Sequence, residues 1–195
     1  MPDPSSAERI AATFAEAHPL AQRLFERLEG AGPIIVVGDG SGRNSRALQA
    51  AGLEVVAIPD RAPYTQLPAK TATFAGALST HAYLHGVTPK IRLGIAELAR
   101  VLQRGAPLCL TFGSIQDVRY GFGDRLDVHT FSPGEGPEHG VPHAYFDRDG
   151  VLEMLRPFTV VSLEEVIVDD IVGKWAHLDA EPRGKIHWFV EARKA

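Results

Sequence analysis

The chain has 195 residues, 45% of them apolar, which suits one domain burying roughly 70% of its unfolded surface and is too short for two comfortable ones. Its 20 Lys and Arg against 24 Asp and Glu leave a net charge of −4, and no basic cluster offers the phosphate-neutralising face that a nucleic-acid partner demands. The single cysteine, Cys109, lies between Leu108 and Leu110 and reads as a small buried hydrophobe without an intrachain disulfide partner. With no run near membrane-spanning length and an opening Met1-Pro2-Asp3-Pro4 unlike a secretory signal, the expectation is a cytoplasmic protein with no membrane partner.

In chain order, Ser5 and Glu8 form a capping-box pattern ahead of Ile10, Phe14 and Ala17 at helical spacing. Pro19 opens a second turn that carries Leu20, Leu24 and Leu28 to a stop at Gly30, so 1–30 is predicted as an N-terminal helical layer. Ile34 to Val37 reads as a strand buried on both faces, as central parallel strands are. A glycine-rich turn, a helical pattern from Arg46 to Ala51 and a second strand from Leu53 to Ile58 complete a βαβ beginning.

Pro59, Pro63 and Pro68 make 59–70 a loop. Phe74 to Thr80 resumes as a strand, and Thr88-Pro89 reads as an N-cap with proline in the first turn of a helix whose stripe is Ile91, Ile95, Leu98, Ala99 and Leu102, stopping at Gly105. Leu108 to Phe112 is another buried strand. The segment 113–146, rich in Gly, Pro, His and acids, is too long for an idle connection and is predicted as a substrate-facing excursion. Asp147 then caps a helix through Val151, Leu152 and Leu155, and strands from Phe158 to Val168 and Ile186 to Ala192 close the chain.

Gly38, Gly40 and Gly42 sit where the first strand breaks into a helix. Lacking side chains, they permit positive φ and let backbone N–H groups approach an anionic or polar ligand. The dinucleotide fingerprint does not fit, because the third glycine comes one residue early and Arg43 stands where that pattern has glycine.

This short glycine form, the run Phe74 to His81 (FAGALSTH) and the helix end Glu97 to Gly105 (EXXRVLXXG) together resemble class I S-adenosylmethionine-dependent methyltransferases over about 32–114. The tail, with Gly140 to Phe146 (GVPHAYF) and His187 to Arg193 (HWFVEAR), is similar to a small-molecule branch of that superfamily. The resemblance implies an α/β, Rossmann-like single domain over 1–195, with a mostly parallel sheet, an antiparallel last strand and S-adenosylmethionine lying across the carboxyl ends of the first strands. It places Gly38, Asp39, Gly40, Ser41, Gly42, Asp60, Leu67 and Ser79 on the cofactor.

Four acids that the family carries align here with Val36, Pro59, Pro63 and Ala75. Charge-assisted hydrogen bonds are about twice as strong as neutral ones, so their loss weakens cofactor capture, and Asp60 and Asp39 are the acids nearest to compensating. The residues from Asp60 to Thr73 cannot supply a crossover helix, a strand and turns, so the sheet is expected to lack one edge strand.

His81 and His85 stand beside that strand end, with His129, His139 and His143 in the excursion. No metal is assigned: the sequence HAYLH over 81–85 lacks the glutamate of the HEXXH pattern, and Cys109 is lone. Methyl transfer is an in-line attack on a sulfonium carbon that needs alignment, and a base only when the nucleophile must lose a proton. His81 is assigned as that base, and His85, His143 and Tyr145 as substrate contacts, against the plainer reading of turn and packing residues. Glu97 and Arg100 read as a helix-surface pair, Trp175, Trp188 and Phe189 as packing residues of the closing strands or an interface, and Asp169-Asp170 as solvent-facing. The expected function is methyl transfer to a small molecule; the alternative is a non-catalytic methyltransferase-like module that binds a protein partner or forms a homodimer.

Overall fold

The computed structural model describes residues 5–29, 32–60, 62–136, 138–172 and 183–195. Two helices, α1 (Ser6–Phe14) and α2 (Pro19–Arg27), precede β1 (Ile34–Val37), α3 (Arg43–Ala50) and β2 (Val55–Ile58). After the proline-rich loop come β3 (Gly76–Ser79), a 3₁₀ turn (Ala82–Leu84), α4 (Thr88–Val101) and β4 (Pro107–Ser114). The excursion carries β5 (Asp124–Arg125), β6 (Thr130–Ser132) and β7 (His143–Phe146), followed by α5 (Arg148–Met154), β8 (Phe158–Ile167), α6 (Asp169–Val172) and β9 (Ile186–Lys194).

Local chemistry explains most boundaries. The Ser5–Glu8 capping box forms in both directions at α1, and Asp147 accepts the Gly150 amide to cap α5. His18 caps α2 through its ring, a role that the sequence pattern hid behind Pro19. Val87, not Thr88, is the N-cap of α4, which places Thr88 inside the helix beside Pro89; the Thr88 amide and hydroxyl are instead held by the Asp127 carboxylate. Phe74 belongs to no strand and makes only an isolated bridge to Leu102. Gly30 and Trp175 fall outside the described residues.

The main sheet runs β2-β1-β3-β4-β9-β8: the first four strands are mutually parallel, and β9 is antiparallel to both β4 and β8. The sheet is mostly parallel with an antiparallel last strand, and among the described residues nothing pairs beyond β2, so the shortened edge is present. Along β1, Ile34 and Val36 face one core with α1, α2 and α3, while Ile35 and Val37 face the other with α4, Phe112 and Trp188, the period of two expected of a strand covered on both sides. No helix among the described residues is long and apolar enough to cross a membrane.

One irregularity positions the site. Gly113 pairs with His187 of β9 and also with Tyr145 of β7, so β7 lies on the opposite edge of β4 and takes over where β3 has stopped at Ser79. A side chain at Gly113 would meet the Ala144 carbonyl at 2.6 Å, which is why glycine stands there. The excursion is thereby stitched into the sheet edge beyond β3, walling the space above the carboxyl ends of β1 and β3.

Candidate functional site

The first wall is the glycine corner. Gly38 turns with φ +73° and Gly42 with φ +69°, and a methyl group at Gly38 would stand 2.8 Å from Ala82 Cβ. A side chain at Gly40 would run into the Asp60 carboxylate, whose Oδ1 accepts the Gly40 N–H at 3.1 Å. Asp60, just past β2, therefore reaches the corner although it is one residue out of register. The amides are used differently from the sequence expectation. Those of Gly38 and Asp39 donate to the Ile58 carbonyl, that of Gly42 to Asp39, and that of Gly40 to Asp60. Asp39 Oδ2 accepts the Ser45 amide at 2.8 Å, capping α3 from within the loop because its N-cap residue, Gly42, has no side chain to do so.

A crevice of about 450 Å³ opens over this corner, in the size range of small-molecule sites. Gly38, Asp39, Gly40, Ser41 and Asp60 line it, together with Arg43, Asn44 and Thr80, which the sequence reading missed. Asn44 is locked: its Oδ1 accepts the His18 amide and its Nδ2 donates to Thr80 Oγ1. Burial lowers the half-buried Arg43 guanidinium to about 10, against the opposing pull of Asp39 and Glu16. Gly42, Leu67 and Ser79 do not line the crevice. Leu67 is in the core with its amide on Glu97 at 2.9 Å, and Glu97 and Arg100 form the expected pair while also clamping that loop. Ser79 ends β3 with its hydroxyl buried, and the next residue, Thr80, borders the space instead.

The second wall is built of histidines. His81 and His85 border the crevice, an adjoining hollow of about 400 Å³ beside Pro63 and Tyr64, and a small cavity of about 20 Å³ beneath the excursion. The His81 imidazole is held well below its ordinary pKa, first by burial and then by His187, His85, His18 and Arg43. His143 opens β7 directly opposite His85: the two share an isolated antiparallel bridge, Gly86 N–H donates to the Pro142 carbonyl, and the rings meet edge to face at 4.8 Å. Tyr145 borders the small cavity, with burial pushing its phenol up. His129 packs on Phe146 and His139 is exposed, so neither of them lines these spaces.

Glu138 and His187 complete this wall, and the sequence reading assigned neither. Glu138 Oε2 lies 3.1 Å from His143 Nε2 and 3.3 Å from Arg119 Nη1, and Oε1 lies 3.9 Å from His85 Nε2. No spacing in the sequence marks either residue, because the pairing of β7 with β4 and the His85–His143 bridge bring them here.

No protein-family model matches the sequence, and no curated protein does. Solved structures do. The Burkholderia thailandensis 1,6-didemethyltoxoflavin-N1-methyltransferase, solved with 1,6-didemethyltoxoflavin and S-adenosylhomocysteine bound, superposes with a TM-score of 0.70 at 16% identity, covering 100% of this chain and 93% of that one. A S-adenosylmethionine-dependent methyltransferase from Methanosarcina mazei gives 0.62 at 17% identity over 88% of this chain and 96% of its own. The chain has the class I methyltransferase fold. The cyclase SpnF is also similar, with a TM-score of 0.57 at 18% identity over 90% of this chain and 80% of that one, so the methyltransferase fold does not by itself fix the reaction. Within that fold, Val36 and Ala75 are buried, so two of the four positions where the resemblance places acids have been absorbed into the core.

Proposed function

We propose that this protein transfers a methyl group from S-adenosylmethionine to a small molecule. The observation that carries the reading is the crevice at the carboxyl ends of β1 and β3, where Asp60 meets the glycine corner on one side and His81 faces it from the other. When bound, the cofactor supplies an electrophilic methyl group on a sulfonium.

The residues present suit such a ligand. Asp60 uses one oxygen on Gly40, and a carboxylate offers about four lone-pair sites, leaving capacity for ribose hydroxyls. Arg43 provides a cation for the carboxylate of the methionine end. Pro63 and Tyr64 bound the adjoining hollow where the missing edge strand leaves room for a base. His81 stands between that hollow and the cavity under the excursion, placed to take a proton from an acceptor while His85, Tyr145 and the rest of the second wall orient it.

Isothermal titration with S-adenosylhomocysteine tests the binding step: saturable one-to-one binding supports the reading, and no binding at millimolar ligand ends it. His81→Gln is expected to lower turnover by about 10²–10⁴-fold, the usual share of a general base, with the affinity for S-adenosylhomocysteine kept; unchanged turnover removes His81 from that role. The inward hydrogen bonding of the glycine amides favours the second reading, a non-catalytic module, and that reading is the one left if the titration is silent.

A further inference from the structure

We propose that His85, Glu138 and His143 bind one divalent first-row transition-metal ion at the junction of the excursion and the crevice. One ligand atom from each residue lies within 4.8 Å of the other two. A tetrahedral ion with nitrogen ligands at 2.0–2.1 Å sets such atoms about 3.3 Å apart. The 3.1 Å and 3.9 Å separations to Glu138 bracket that spacing, so modest side-chain contraction closes the site.

The decisive detail is a mismatch of lone pairs. His143 Nδ1 lies 2.8 Å from the Val141 carbonyl oxygen, which only accepts, so Nδ1 carries the hydrogen and Nε2 is the nitrogen left to take a metal ion. That buried nitrogen makes no hydrogen bond in the structure, and the atom 3.1 Å from it is a carboxylate oxygen, also a lone-pair donor. Two such atoms at this separation call for a positive centre between them, a proton or a metal ion, and the second imidazole that His85 brings to the same point favours the metal ion. A ring N–H held by a backbone carbonyl is the arrangement that orients metal-ligating histidines.

The frame is rigid. The His85–His143 bridge fixes both backbones, and the Tyr64 hydroxyl donates to the His85 carbonyl at 2.7 Å. Beside the three residues is the cavity of about 20 Å³, room for one water-sized occupant. Arg119 already touches Glu138 Oε2; a carboxylate has lone pairs for both partners, and the guanidinium holds Glu138 in place while moderating the site's affinity. Two imidazoles and one carboxylate select zinc, iron, cobalt or nickel over magnesium or calcium, which prefer all-oxygen sets. Three protein ligands leave coordination positions open, and the neighbouring crevice is where a small molecule with oxygen or nitrogen donors can reach them. That acceptor-orienting role rests on the methyl-transfer reading; the metal site itself does not.

The test uses the full-length protein, stripped with chelator and titrated with Zn²⁺ or Co²⁺ in the absence of any S-adenosyl ligand, beside a parallel S-adenosylhomocysteine titration on the stripped protein. Binding of one ion per chain, Co²⁺ absorption bands of a nitrogen- and oxygen-ligated site, and no competition from millimolar Mg²⁺ are the expected results. Glu138→Gln and His143→Gln each weaken Zn²⁺ binding by more than the about 10–100-fold typical of losing an outer-shell partner, whereas His139→Gln, in the same excursion, leaves it unchanged. Wild-type protein that binds neither ion more tightly than about 0.1 mM, or variants that bind as the wild type does, overturn the proposal. Should a variant not fold, the wild-type titration and the Co²⁺ spectrum decide alone. Metal binding without S-adenosylhomocysteine binding overturns the methyl-transfer reading and spares the site; the reverse overturns the site and spares the reading.

Discussion

At the glycine corner, the amides of Gly38, Asp39, Gly40 and Gly42 are taken up by Ile58, Asp39 and Asp60, whereas across the same crevice Glu138 Oε2 faces His143 Nε2 at 3.1 Å with His85 beside them. One wall closes its polar groups on itself; the other brings ligand atoms of three residues within 4.8 Å of one another. Recognition therefore divides unequally between the two walls. A wall whose backbone is satisfied offers shape and one carboxylate, so its contribution comes from Asp60 and from the space the glycines leave. A wall with convergent ligand atoms offers chemistry, and that is where this chain departs from a bare scaffold.

Gly40→Ala tests the glycine wall most strongly. The added methyl group displaces the Asp60 carboxylate, which is flexible and exposed, so the fold survives while the proposed ribose contact is lost. S-adenosylhomocysteine affinity is expected to fall by about 10–100-fold, the equivalent of losing one hydrogen bond to a charged group, with the thermal midpoint close to wild type. Because the effect runs through Asp60, the Gly40→Ala and Asp60→Ala double variant should bind no worse than Asp60→Ala alone, a non-additivity that calorimetry reads directly. Additive losses mean that the corner binds through its backbone after all.

Gly94 sharpens the other wall. In an exposed helix interior, Gly→Ala stabilises by about 1 kcal/mol. In α4 the new methyl group would stand 2.5 Å from Tyr64 Cδ2 and 2.7 Å from Tyr83 Cε1, two rings packed edge to face with centroids 5.0 Å apart. Overpacking reverses the sign, and Gly94→Ala is expected to lose about 1–3 kcal/mol in urea denaturation. Since Tyr64 holds the His85 carbonyl, Zn²⁺ affinity falls with it. A gain in stability shows that the tyrosines yield and do not brace the histidine wall.

The sheet was legible because its signals are local and redundant: the apolar run of β1, the proline-interrupted loop that rules out a further strand, and the stripe of α4. Asp60 was legible as a compensating acid because the chain allows little room between β2 and the glycine corner. Leu67 and Ser79 were misplaced relative to the crevice because they were carried over by motif position, and motif position does not say which way a side chain turns when the neighbouring edge strand is gone. Glu138 and His187 were illegible for another reason. Only the crossing of β7 onto the free edge of β4 brings residues 85, 138, 143 and 187 together, and no spacing in the sequence encodes that crossing.

His18 gives the smallest effect and the finest version of the comparison, because it is a histidine lone pair that the protein does satisfy. Its Nδ1 accepts the Leu20 amide at 3.2 Å, capping α2, while its own amide holds Asn44 at the glycine corner. Burial first, then the charges of Arg43, His187 and Arg23, holds the ring well below its ordinary pKa, and protonation would remove the acceptor that the cap uses. The folded state therefore binds this proton less readily than the unfolded chain. Its contribution is complete above the unfolded value near 6.5 and is lost as pH falls below it, at about 1.4 kcal/mol per pH unit until the folded value is reached. His18→Asn keeps a cap acceptor and removes the titration, so urea unfolding followed from pH 7 to pH 5 should show a shallower decline by about that slope. An unchanged slope means that the ring is hydrated in the folded protein, and that a satisfied lone pair does not distinguish this histidine from the one facing Glu138.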